Sequence, residues 1–116
     1  MKLEKGESVF FMKVAYDTIS DASTRTIQDV EQVGGYIYIT LSNDDYFQIK
    51  PFEKDFRIFH NSSGNIHTFM TEDTKDGRKL IKQALKEEIG TIISQIGKLK
   101  SRRDDLLTVL DNFRID

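Results

Sequence analysis

The sequence predicts an α+β domain in which an antiparallel β-meander of five or six strands is followed by a long C-terminal helix, or a helical hairpin, of coiled-coil type. Three observations predict it. Residues 36–42 (YIYITLS) alternate strictly between two faces, the period of a pleated strand. The rest of the chain up to residue 74 breaks into short aromatic and β-branched runs separated by Gly, Asn, Asp and Ser, which suits strands joined by turns. Further on, Leu85, Ile89, Ile92, Ile96, Leu99, Arg103, Leu106, Leu110 and Phe113 recur at intervals of four and three without slipping. That is the pattern of a coiled-coil seam.

In chain order, residues 8–16 (SVFFMKVAY) suit a half-buried pleated surface and predict the first strand. Residues 17–24 (DTISDAST) collect Ser, Thr and Asp, whose side chains compete for nearby backbone groups, and they read as a loop. In residues 25–33, Ile27, Val30 and Val33 lie three apart, a spacing that fits neither period cleanly; a strand is favoured over one short helix. Gly34 and Gly35 permit a tight connection into the alternating run, with Ile37, Ile39 and Leu41 on one face and Tyr36, Tyr38 and Thr40 on the other. Asn43 and Asp44 turn the chain into residues 46–50, where Phe47 and Ile49 share a face opposite Tyr46, Gln48 and Lys50, so these two runs form a hairpin. Pro51, the only proline, lacks a backbone donor and ends that strand or marks an edge. Residues 56–60 and 66–70 flank Asn61, Ser62, Ser63, Gly64 and Asn65, which predicts a second hairpin with a five-residue loop.

Beyond Thr71 the pattern changes. Glu72, Asp73 and Asp76 suit the positive end of a helix dipole, and a helix is expected to begin near residue 76. If unbroken over 78–113 it would be about 54 Å long at a rise of 1.5 Å per residue, too long for a sheet built from the preceding residues to cover. Gly90 and Gly97 fall on the presumed outer face, and Ser101 followed by Asp104 resembles a capping box. A helical hairpin, with helices near 78–96 and 102–113, therefore competes with the continuous helix, which the uninterrupted seam favours. Residues 1–74 are expected to form the β part and 75–116 a helical oligomerisation segment, within one structural domain overall.

Composition narrows the function classes. At 38% hydrophobic and 31% charged residues the chain is globular but lean in apolar material, so completion by a second copy is the expected remedy. The net charge of −2 marks neither a nucleic-acid binder nor an acidic mimic. No apolar run approaches membrane-spanning length. The absence of cysteine excludes disulfides and thiolate metal sites, and with no signal-peptide pattern a cytoplasmic setting is expected.

Several constellations have both a functional and an ordinary reading. Arg103 sits within the seam, where polar residues fix register or oligomer state; with Lys98, Lys100 and Arg102 it forms either an anion site or a solvated basic face, and the second is favoured. Ile81, Ile93 and Leu107 flank the seam and widen it. His60 and His67 bracket the second hairpin and could lie close across strands, but two ligands are too few for a metal site, and no metal or cofactor is implied. Tyr36, Tyr38 and Tyr46, beside Gln48 and Lys50, suit cross-strand aromatic pairing better than base stacking. No Ser, His and acid arrangement and no phosphate loop is present in a recognisable pattern, so an enzyme is not expected.

The expected function is a non-enzymatic, homo-oligomeric interaction or regulatory protein. Its helical segment would join two or more copies, and its sheet or inter-subunit groove would bind a host protein. Small cysteine-free chains rich in Lys, Ile and Asp are associated with viral and mobile-element accessory proteins, an association of composition only. One alternative is similar in plan to phage anti-defence proteins that sequester a signalling nucleotide between subunits; Arg57, Arg102 and Arg103 would then hold phosphates and Tyr36 and Tyr38 the base. A nucleic-acid-binding module using residues 98–103 is a third reading, disfavoured by the balanced charge.

Overall fold

A computed structural model describes residues 1–113. The chain divides into two compact units, Met1–Lys82 and Gln83–Asp116. The first contains six strands: β1 (Ser8–Ala15), β2 (Thr18–Val33), β3 (Tyr36–Leu41), β4 (Tyr46–Ile49), β5 (Ile58–Ser63) and β6 (Ile66–Glu72). A long α-helix, α1 (Lys75–Asn112), begins in the first unit and continues into the second. All pairings are antiparallel, in the spatial order β4-β3-β2-β1-β6-β5. The fold is therefore α+β, a meander that forms a nearly closed sheet, followed by one long helix rather than a helical hairpin. Gly90, Gly97 and Ser101 all lie inside α1.

Of the region predicted as a loop, residues 17–24, Asp17 turns the chain together with Tyr16, while residues 18–24 are instead the first half of β2. The reason lies in Arg25, which is 5% exposed. On the same strand face, Ser23 Oγ accepts from its Nε at 2.9 Å, and the Asp21 carboxylate accepts from its Nη2. Asp45 Oδ2 accepts at 3.0 Å and the Ser42 carbonyl oxygen accepts as well, while the guanidinium carbon sits 4.6 Å from the centre of the Phe11 ring. Residues that read locally as turn formers are the acceptors that allow a cation to be buried.

The awkward spacing of Ile27, Val30 and Val33 also has a structural origin. The register of β2 shifts between Ile27 and Asp29, so Gln28 is the extra residue of a bulge. The insertion lets both Ile27 and Val30 reach the core, while Val33 falls on the exposed side. The bulge lies where β2 leaves β1 and joins β3, and it adds local bend to the sheet. Gly34 and Gly35, with φ of 61° and 84°, form the two-residue β2–β3 turn, whose positive dihedrals match the strand twist. The second hairpin turns on Gly64 and Asn65 alone, not on the expected five residues, because Asn61, Ser62 and Ser63 pair with Thr68, His67 and Ile66.

One core fills the concave side of the sheet. Val9, Phe11, Ile27, Ile39, Leu41, Phe47, Ile49, Phe59 and Met70 form it, with Met1 and Leu3 packed against it. Phe11 and Phe47 meet edge to face, 6.2 Å between ring centres. The N-terminal segment is held by Gly6 N–H donating to the Ile27 carbonyl and Ile27 N–H donating to the Glu7 carbonyl. On the other face of β1 and β6, Met12, Phe69 and Thr71 are also buried. The first turns of α1 contribute buried Gly77 and Ile81 to this unit. Thr74 Oγ1 accepts from Gly77 N–H at 3.1 Å and so caps the helix one residue before its start at Lys75. Asp73 accepts from Arg78 at 3.0 Å and from Thr24 at 3.0 Å, and Arg78 lies over the Phe10 ring.

Candidate functional site

The second unit presents the seam. In heptad terms Ile89, Ile96, Arg103 and Leu110 take the a positions, and Leu85, Ile92, Leu99, Leu106 and Phe113 the d positions. Leu85 is half-buried, but the apolar seam residues from Ile89 onward are between 45% exposed (Ile92) and 69% exposed (Leu106) in the single chain. Ile93, Leu107 and Val109 beside them are exposed as well. Gly90 and Gly97 both occupy b positions on the opposite face, as expected. Arg103 is exposed and donates to its neighbour Asp104 at 3.1 Å. A helix in water with a stripe of apolar side chains interrupted at Arg103 is a surface suited to burial against another apolar surface.

The first unit presents a cleft of about 430 Å³ at the two free edges of the sheet. Tyr36, Tyr46, Gln48, Lys50 and Glu53 line it on the β3–β4 side and Asn61 and Ser62 on β5. Leu41 N–H donates to the Asp45 carbonyl at 2.7 Å; this fixes the hydrogen-bonded pairs and leaves the backbone of Tyr46 and Gln48 turned away from β3. The Lys50 edge is closed off, because its N–H donates to Glu53 Oε1 and Pro51 follows it. The cleft is polar and open.

The predicted ligand residues are only partly brought together. Tyr36 lines the cleft; Tyr38 shares its outward strand face but is half-buried and does not line it. Arg57 donates to Glu72 at 2.7 Å; that hydrogen bond and the opposite charge raise the guanidinium pKa and lower that of the Glu72 carboxyl. Arg102 and Arg103 belong to the second unit. His60 Nε2 and His67 Nδ1 do meet across β5 and β6, at 2.8 Å, with the His60 ring stacked 4.4 Å from the Phe69 ring centre. Among the described residues no group of three His, Cys, Asp or Glu is placed to hold a metal ion, and no helix is long and apolar enough to cross a membrane.

The residue that sequence reasoning missed is Arg25. Nothing in its local sequence distinguishes it from a surface strand arginine, although Asp21 and Ser23 at i−4 and i−2 are the acceptors it uses. Burial works against the Asp21 carboxylate, but hydrogen bonds from Arg25 and Ser23 and the Arg25 charge outweigh it and hold that carboxyl below its ordinary range. Compared with family models, curated proteins and solved structures, the chain matches none of them.

Proposed function

We propose that this chain is a non-enzymatic, self-associating interaction protein: the seam of α1 joins it to a second copy, and the sheet unit offers a polar cleft to a partner. The exposed aliphatic seam carries the reading. A second copy is favoured as the occupant because the seven-residue repeat is continuous from Leu85 to Phe113, and a repeat that regular is complementary to another helix carrying the same repeat. Burying each half-exposed Ile or Leu contributes on the order of 1 kcal/mol, so the seam as a whole can offset the entropy of association.

Light scattering tests it. The wild-type chain is expected to scatter as a multiple of its 13.4 kDa mass. Ile96→Asp, which buries an uncompensated carboxylate in the middle of the seam, is expected to reduce it to a monomer while the sheet unit keeps its cooperative unfolding. A wild type that stays monomeric at about 100 μM, a concentration well above a typical dissociation constant for such an interface, rejects the reading.

A further inference from the structure

We propose that two copies pair with their helices antiparallel, Ile96 of each opposite Leu99 of the other, and that Arg103 sets this orientation. The inference rests on the self-association reading and adds the arrangement of the partner.

Ile and Leu at the a and d positions suit two strands in either direction, so charge must choose between them. The charges of α1 are unevenly placed. Residues 89–97 carry none, whereas Lys98, Lys100, Arg102 and Arg103 follow directly. In a parallel, in-register pair every seam residue meets its own copy. Arg103 would then face Arg103, with Lys100 at e and Arg102 at g flanking it on both chains. The carboxylates within reach, Asp104 and Asp105, sit at b and c on the outer side. Like charges gathered this closely oppose that arrangement.

Reversing one helix brings a positions against d positions and allows three registers that bury most of the seam. One aligns Arg103 with Leu85 and leaves Leu106, Leu110 and Phe113 unpaired. A second aligns Phe113 with Ile89, but it centres the pair on the basic run and sets Lys100 against Lys100 and Arg102 against Arg102. The third pairs Leu85 with Leu110, Ile89 with Leu106, Ile92 with Arg103 and Ile96 with Leu99. It covers the seam up to Leu110 and lays the basic run of each copy over the charge-free residues 92–97 of the other.

The flanking positions agree with the third register. Ile93 meets the alkyl stem of Lys100, Leu107 that of Lys86, and Val109 that of Glu88, so each exposed apolar flank is covered by a side chain whose charged end reaches water. Gln95 meets Arg102, and its amide oxygen can accept from the guanidinium. No like charges face each other. The pairing also has a consequence for valency. Residue 85 of one copy lies about 38 Å from residue 85 of the other, from a rise of 1.5 Å per residue, so the two sheet units are attached at opposite ends of the paired helices. The assembly would present two copies of the sheet unit, one attached at each end of the pair, to two partners or to two sites on one partner.

The cysteine-free sequence makes disulfide mapping direct. Ile89→Cys and Leu106→Cys, prepared separately, mixed under reducing conditions and then oxidised, are expected to form the mixed disulfide in at least about tenfold excess over either self-disulfide, because like positions would lie about 25 Å apart and cannot bridge. Gln95→Cys mixed with Arg102→Cys, both exposed and off the seam, repeats the test without removing an apolar contact. Arg103→Leu is expected to admit the Leu106→Cys self-disulfide by releasing the orientation. A dominant self-disulfide in the Arg103 background, or no disulfide from either mixture in an assembly that scatters as a dimer, overturns the orientation and leaves self-association standing. A monomer overturns both.

Discussion

The two units put their apolar side chains to opposite uses. In Met1–Lys82 the large aliphatic and aromatic residues of alternate strand positions are almost wholly buried, with Phe11, Phe47, Phe69, Ile27, Ile39 and Leu41 among them. From Gln83 to Phe113 the helix carries a comparable density of Ile and Leu, yet no side chain is buried. Both stretches follow a strict hydrophobic period, two in the strands and three-and-a-half in the helix. The difference is that a curled sheet supplies its own opposing face, whereas a lone helix stripe has none. A regular apolar pattern therefore reports that a face will be buried, not what will bury it.

The contrast is tested most directly by truncating one large apolar side chain in each unit. Phe47→Ala, in the sheet core, is expected to destabilise the folded chain by about 3–5 kcal/mol in denaturant unfolding. Leu106→Ala should change the stability of the dilute monomer by less than about 0.5 kcal/mol while weakening the concentration dependence of Tm. Equal effects of the two substitutions at low concentration would show that both faces are buried within one chain.

Next in size is the buried cation. Arg25→Met keeps an alkyl chain over Phe11 but removes every hydrogen bond to Asp21, Ser23, Asp45 and Ser42, and a loss of about 2–4 kcal/mol is expected in thermal or denaturant unfolding. A neutral outcome would mean that the strand-like conformation of residues 18–24 does not depend on this network.

The packing of the first turn of α1 within the first unit can be probed at Gly77. A Cβ there would collide with the Glu72 carbonyl oxygen and stand 2.7 Å from Thr71 Oγ1, so Gly77→Ala is expected to destabilise the sheet unit by about 2 kcal/mol despite its better helix propensity. Gly90→Ala and Gly97→Ala should do the reverse. Nothing lies within 4 Å of either added methyl, and each is expected to stabilise the helix by about 0.5–1 kcal/mol, read as increased helical ellipticity with unchanged association.

The smallest expected effect is electrostatic. Because the Asp21 carboxyl titrates below its ordinary range in the folded chain, its contribution is complete above the ordinary carboxylate pKa of about 4 and is lost as pH falls through the folded value. Unfolding midpoints compared at pH 7 and pH 3 should therefore fall less on acidification in Asp21→Asn than in the wild type. An identical acid sensitivity would remove Asp21 from the account.

Features that rest on period and on residues with unusual backbone freedom or restriction were legible from the amino acids alone. The β3–β4 hairpin, the Gly34-Gly35 turn, the change to helix after Thr71 and the seam from Leu85 to Phe113 are all written in spacing that one element can satisfy alone. The seam also announced itself as a candidate interaction surface, because its repeat does not depend on anything the sheet does. Tertiary structure alone decided that residues 18–24 are strand, since their local preference for turns is overridden by pairing with β1 and by a guanidinium that needs their oxygens. It decided the place of β6 beside β1 and the free edges β4 and β5, because strand order depends on contacts distant in sequence. It also decided the bulge at Gln28, which turned an ambiguous three-residue spacing into two inward-facing side chains. Local patterns reveal which face of an element is apolar; only long-range pairing settles which neighbour that face meets.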